Sequence, residues 1–139
     1  MVLLDTNVLS ELMRPAPNPK VMDWLDGWPA EDVWISAITM AEILFGIRLL
    51  ADGKRKSDLL RLAETMFQED FAGSCLPFDD LAAKNYADIV AARRQAGHPI
   101  TVEDAQIAAI ATSCHLLLAT RNTRDFEGIN NLTVINPWE

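Results

Sequence analysis

Cationic residues are scarce in this chain. Twelve lysines and arginines stand against twenty aspartates and glutamates in 139 residues, a formal net charge of −8. Proteins that coat DNA or RNA are normally basic, so the balance argues against that class. It leaves room for an enzyme whose acids are concentrated at a metal site. Cysteine is nearly absent: Cys75 and Cys114 lie far apart and form no C-x-x-C pair. This excludes a disulfide framework and a cysteine zinc site, and both thiols are expected to be buried in a reducing cytosol. No apolar run approaches the ~18 residues of a membrane-spanning helix. The opening MVLLDTN shows no secretory signal. A soluble cytoplasmic protein with no membrane contact is expected. His98 and His115 have no ligand-like spacing, and no G-x-S-x-G elbow, Walker loop or G-x-G-x-x-G occurs.

What is present is apolar residue, half of the chain, enough for the core of one domain over residues 1–139. Short apolar runs at Val2–Leu4, Val33–Ile35, Cys75–Leu76, Leu116–Ala119 and Thr133–Ile135 read as strands. Between them lie helical patterns. Asn18-Pro19 opens a short helix through Trp24. Ser36 or Thr39 opens a long one to about Ala51, ended by Gly53. Further helices are expected over Ser57–Phe71, over Leu81–Ala96 after Asp79 with Gly97 as its stop, and from Thr101 to about Cys114. Strands alternating with helices give an α/β fold, a mostly parallel sheet of four to five short strands flanked by helices. Ligands bind such sheets outside the carboxyl ends of the strands, which directs attention to Asp5, the residues after Ile35, and Thr120-Arg121-Asn122.

Three acids interrupt apolar patterning. Asp5 ends a buried strand, Glu42 lies within ITMAEILFGIRLL, and Asp104 opens an alanine-rich helix. Each has a plainer reading: Asp5 as a helix N-cap, Asp104 as the acid of a capping box with Thr101, and Glu42 on a solvent-facing strip with Thr39 and Gly46. If the three converge, they form a hard-oxygen set of the kind Mg2+ or Mn2+ prefers. Such a site suits phosphodiester hydrolysis. An aspartyl-phosphate mechanism at Asp5 fits less well, because a second aspartate two residues on is wanted and Asn7 stands there.

The stretches MVLLDTNVLSEL, ISAITMAEILFGI, TVEDAQIAAIA, LLLATRNTRDF and the closing INPW occur in that order. Together they resemble the motifs of the PIN-domain family, particularly the ribonuclease toxins of the VapBC and FitAB type, and they cover nearly the whole chain. The resemblance implies a single PIN domain acting as a metal-dependent endoribonuclease. Asp5, Glu42 and Asp104 would be its metal-site acids, Thr6 and Asn7 would support Asp5, and Thr120 would orient the site. Many members carry aspartate where this chain has Asn122. Asn122 would then help through its carbonyl oxygen, and Asp125 would either compensate or cap the following turn. The resemblance further implies Mg2+ or Mn2+ as cofactor, a homodimer, and an antitoxin partner. The antitoxin's C-terminal segment would wrap the toxin, and its N-terminal part would bind operator DNA. A basic antitoxin tail would be attracted to this acidic chain.

An RNA substrate needs cations near the acids, and Arg121 and Arg124 flank Asn122. Lys54-Arg55-Lys56 and Arg93-Arg94 read as solvated helix ends favoured by the helix dipole. The four tryptophans read as core or dimer contacts rather than base-stacking platforms. A second functional reading is a catalytically weak PIN fold that mainly binds its antitoxin in operator repression; Asn122 is the feature that favours it.

Overall fold

Val2, Leu3 and Leu4 are completely buried and form β1 (Val2–Leu4) in the computed structural model, which describes residues 1–139. A strand flanked by others and covered on both faces is apolar at every position. β1 occupies that place, the centre of a five-stranded sheet. The others are β2 (Val33–Ser36), β3 (Cys75–Leu76), β4 (Leu117–Ala119) and β5 (Val134–Ile135). Their order is β3-β2-β1-β4-β5, and every pairing is parallel.

Side-chain alternation along β1 divides the core in two. Val2 and Leu4 face α1 (Thr6–Leu12), α2 (Pro19–Asp26), α3 (Ala37–Arg48) and α4 (Lys54–Thr65), packing with Val8, Leu9, Val21, Ile43 and Ala63. Leu3 faces α5 (Asp80–Gln95) and α6 (Val102–Ser113), with Ile107, Ile110, Leu118 and Phe126. Each fully buried large aliphatic contributes roughly 1.5–3 kcal/mol relative to an exposed one. The result is a helix–sheet–helix sandwich. No helix is long and apolar enough to cross a membrane.

Several boundaries differ from expectation for local reasons. α3 stops at Arg48, well before Gly53. Gly53, at φ 150°, flanks the start of α4 instead, which begins at Lys54 rather than Ser57. The polar first turn of α4 carries no apolar periodicity to reveal it. Lys54-Arg55-Lys56 therefore sits at a helix N-terminus, the end the dipole disfavours for cations. Lys56 is used differently: its Nζ donates to the Arg48 carbonyl at 3.2 Å and pairs with Asp52 at 3.1 Å, closing the end of α3. Past Thr65 the chain continues as one wide π turn, Met66–Asp70. The cysteines also depart from expectation, since Cys75 is half-buried on an edge strand and Cys114 is exposed at the end of α6. Gly97 does close α5 with a positive φ of 76°.

Candidate active site

The sheet order reverses beside β1: the chain builds outward through β2 and β3, then returns to β1's other side with β4. Loops diverge at such a point and leave a crevice beyond the carboxyl ends of the two strands. Asp5 follows β1 there and Thr120 follows β4. The Asp5 amide continues the ladder to the Ala119 carbonyl at 2.9 Å.

Asp5 is 4% exposed, and three donors are aimed at its carboxylate. Thr120 Oγ1 donates to Oδ2 at 2.7 Å, Asn7 Nδ2 donates to the same oxygen at 3.2 Å, and the Thr6 amide donates to Oδ1 at 2.8 Å. The last contact makes Asp5 the cap of α1 as well as part of the cluster. Thr120 Oγ1 also accepts from Asn7 Nδ2 at 3.2 Å and from the Asn122 amide at 3.1 Å, so its donor and both acceptor positions are occupied. Asn7 Oδ1 accepts from the Arg121 amide at 3.1 Å. Asn7 and Thr120 thereby tie the two loops to one carboxylate.

Glu42 arrives from α3. Thr6 Oγ1 donates to its Oε1 at 2.7 Å and lies 3.0 Å from Thr39 Oγ1. A hydroxyl has one proton, so Thr39 is the donor in the second contact. Thr39 is fully buried, and its amide donates to Ser36 Oγ at 3.1 Å, the N-cap of α3. A solvent-facing strip shared by Glu42 and Thr39 is therefore ruled out. Glu42 is half-buried and held by a hydroxyl chain.

Asp104 stands in the first turn of α6, its amide donating to Thr101 Oγ1 at 3.2 Å. Burial pushes its carboxyl up from 3.8 to about 6; the charges of Asp5, Asp125 and Glu42 push the same way, and the Thr101 hydroxyl opposes them. Burial also raises Asp5, against the hydrogen bonds from Thr120, Thr6 and Asn7, with Asp125 adding to the rise. The four acids thus share one electrostatic field. No three acidic, histidine or cysteine side chains lie close enough together to form a closed ligand cage. The donor set is all oxygen and strongly anionic, which fits a hydrated ion such as Mg2+, commonly held through one or two carboxylates with waters completing its shell.

Asn122 is exposed, and its side chain caps nothing. Arg121 lies over the Trp138 ring, 5.0 Å from the centroid, and Arg124 and Asp125 are exposed on a 3-10 turn, Thr123–Phe126. Trp24 and Trp28 pack on each other with ring centroids 6.0 Å apart.

One polar residue, Glu11, escaped the sequence reading, and another, Arg93, has a different place from the one expected. Glu11 is 6% exposed; its Oε2 accepts from the Asn18 amide at 2.9 Å, and Arg14 lies 3.3 Å from Oε1. The Asn18 amide, then Arg14, hold its carboxyl below the usual range. Its place on the face of α1 that carries Val8 was the available signal. Arg93 is not a solvated helix end: it is half-buried and donates to three carbonyls. Beside the acids, a groove of about 1080 Å³ runs between α1, α3 and α4, with Thr6 and Glu42 at its edge, Ile43 and Ile47 on its wall, and Arg14 and Lys54 on its rim.

Comparison with known proteins shows the family. Residues 2–132 match the family model described as PIN domain. The chain is 45% identical to Toxin FitB of Neisseria gonorrhoeae, over 99% of each chain. It is 40% identical to VapC ribonuclease Y4jK of Sinorhizobium fredii, over 100% of this chain and 99% of the relative. A solved structure of FitAB bound to an IR36 DNA fragment superposes with a TM-score of 0.92 at 44% identity, covering 100% of this chain and 96% of that one.

Proposed function

The chain belongs to the PIN-domain family, and from that premise we propose that it is a metal-dependent endoribonuclease, the toxin of a toxin–antitoxin pair. The observation that carries this reading is the polar cluster at the β1/β4 switch point. There Thr120, Asn7 and Thr6 donate to Asp5 and Glu42, and the charges of both acids raise the Asp104 carboxyl. Similarity to a protein named a VapC ribonuclease supports RNA as the substrate.

Asp5, Asp104 and Glu42 are the residues that would hold Mg2+ or Mn2+. A bound divalent cation supplies Lewis acidity toward a phosphoryl oxygen and a more acidic water. The chain's own groups do the rest. Thr120 and Asn7 fix one oxygen of Asp5, and the Thr6 amide fixes the other. Thr6 sets the rotamer of Glu42. Asp104, titrating near 6, can give up its proton at neutral pH. Arg124, exposed on the turn after Asn122, and Arg121, braced on Trp138, are the cations for RNA phosphates. Asn122 contributes through its carbonyl oxygen, and Asp125 through charge.

The groove beside Glu42 suits an antitoxin segment, apolar along its wall and ending at the acids, where a basic side chain would be drawn in. Operator DNA would be bound through that antitoxin. Phe45 on α3, Leu49 just past its end and Leu62 on α4 are large apolar residues exposed at 64%, 70% and 41%, and they are the surface for a homodimer. The second reading, a weakly catalytic fold that chiefly binds antitoxin, is favoured only by Asn122 at a position where many members have aspartate. Expression of the chain without its partner separates the two. Growth arrest that Glu42→Gln relieves supports the nuclease; harmless expression of soluble wild-type protein supports the binding role.

A further inference from the structure

Asp125 sits on a single short 3-10 turn, Thr123–Phe126, bounded by an Asp125 N–H bond to the Asn122 carbonyl at 3.0 Å and a long Glu127 N–H bond to the Arg124 carbonyl at 3.4 Å. Phe126 anchors it in the core at 2% exposure. The carbonyls of Asp125 and Glu127 are met from α5. Arg93 meets both, its Nη1 donating to Asp125 O at 3.0 Å and to Glu127 O at 3.2 Å.

Arg93 is itself prepared for this contact. It lies in the last turn of α5, where the His98 amide returns to the Arg93 carbonyl at 2.9 Å after Gly97 takes its positive φ. That closure satisfies the end of the helix. The Arg93 side chain folds over the same turn, its Nε donating to His98 O at 2.7 Å. A guanidinium presents its donors in a rigid plane, so fixing Nε on His98 aims Nη1 at the turn. On the turn's other side, the Asn122 amide is tied to Thr120, and Thr120 to Asp5. The segment is held at both ends, by the acid cluster and by Arg93.

We propose that Arg93 is a positioning residue that clamps the Asn122–Glu127 turn from behind and so holds Asp125 as the fourth acid facing Asp5 and Asp104. The charge of Asp125 is felt at both of those carboxyls, as this placement requires. Lysine cannot replace Arg93, because an ammonium lacks the planar fork that reaches three carbonyls. The clamp stands on geometry alone; its effect on metal binding rests on the proposed function.

Two measurements on the full chain separate these parts. Amide hydrogen exchange without metal reads the clamp. Arg93→Ala and Arg93→Lys should each speed exchange in the segment covering Asn122–Gly128 by about tenfold or more, while Ile107–Ala111 stays protected. Unchanged exchange in that segment overturns the clamp. Mn2+ titration then reads the consequence in Arg93→Ala, Asp125→Asn and the double variant. Arg93→Ala should weaken Mn2+ by about tenfold, and the double variant should be no weaker than the weaker single one. Multiplying losses mean that Arg93 acts elsewhere, and they overturn the link to Asp125. If wild-type protein binds no Mn2+, the proposed metal dependence and the fourth-acid role both fall, and exchange alone decides the clamp.

Discussion

Asp104→Asn should make the metal-free protein more stable at neutral pH while abolishing its response to metal. In the folded chain this carboxyl titrates at about 6 rather than 3.8, chiefly through burial and the charge of Asp5. The folded state therefore holds the proton more tightly than the unfolded state does. The group favours folding below about pH 4, and that contribution is lost as pH rises through about 6, leaving an unfavourable charge at pH 7.5. At ~1.36 kcal/mol per pH unit, the gap corresponds to ~3 kcal/mol at most. Asp104 is only half-buried, and solvent screening reduces this to ~1–2 kcal/mol. For a chain of this size that is ~3–8 °C in melting temperature. Thermal unfolding in chelator at pH 7.5 and pH 4 is the assay. Asparagine should raise the melting temperature at pH 7.5 and change it little at pH 4. Adding Mn2+ at pH 7.5 should then stabilise the wild type and leave the variant where it was. A variant equally stabilised at both pH values, or destabilised at both, would refute the electrostatic reasoning.

Thr120→Val should lower activity about 10–100-fold and stability by ~1–3 kcal/mol, because it frees Asp5 Oδ2 and leaves the Asn122 amide without its acceptor; kinetics and melting read the two effects, and unchanged kinetics contradict the role. Glu11→Gln keeps an acceptor for the Asn18 amide but removes the charge. Because the Glu11 carboxyl is held low in the fold, its contribution is present above about pH 4.5 and lost as pH falls through the folded value. The wild type's advantage in melting temperature should shrink toward pH 3, and a pH-independent difference would count against this account. Arg124→Ala should leave stability unchanged while flattening the salt dependence of RNA binding by a slope of about 0.7, one phosphate contact to single-stranded RNA. An unaltered slope would remove Arg124 from the substrate path.

The sheet was legible because buried parallel strands are apolar at every residue, and Val2–Leu4 and Leu117–Ala119 carry no other signal. Helix stops with a distinctive backbone were legible too, as at Gly97. The start of α4 was not, since Lys54-Arg55-Lys56 follows no apolar period and violates the dipole preference. Asp5, Glu42 and Asp104 stood out as charges inside apolar patterns, and the charges of Asp5 and Glu42 reach Asp104 in the fold. Thr39 and Arg93 are different. A buried threonine looks like any helix residue, and an arginine in a last turn looks like a dipole partner. Their partners lie on other elements, Thr6 on α1 and Asp125 and Glu127 after β4. Only the assembled fold shows those contacts.

The proposed function makes Asp5 part of a metal-dependent RNA-cleaving centre. The direct test incubates the partner-free chain with mixed cellular RNA, in Mg2+ or Mn2+ and in chelator, beside Asp5→Asn protein prepared identically. The account predicts cleavage that requires the cation and disappears in the variant. Cleavage that persists in chelator, or that Asp5→Asn retains, would contradict it.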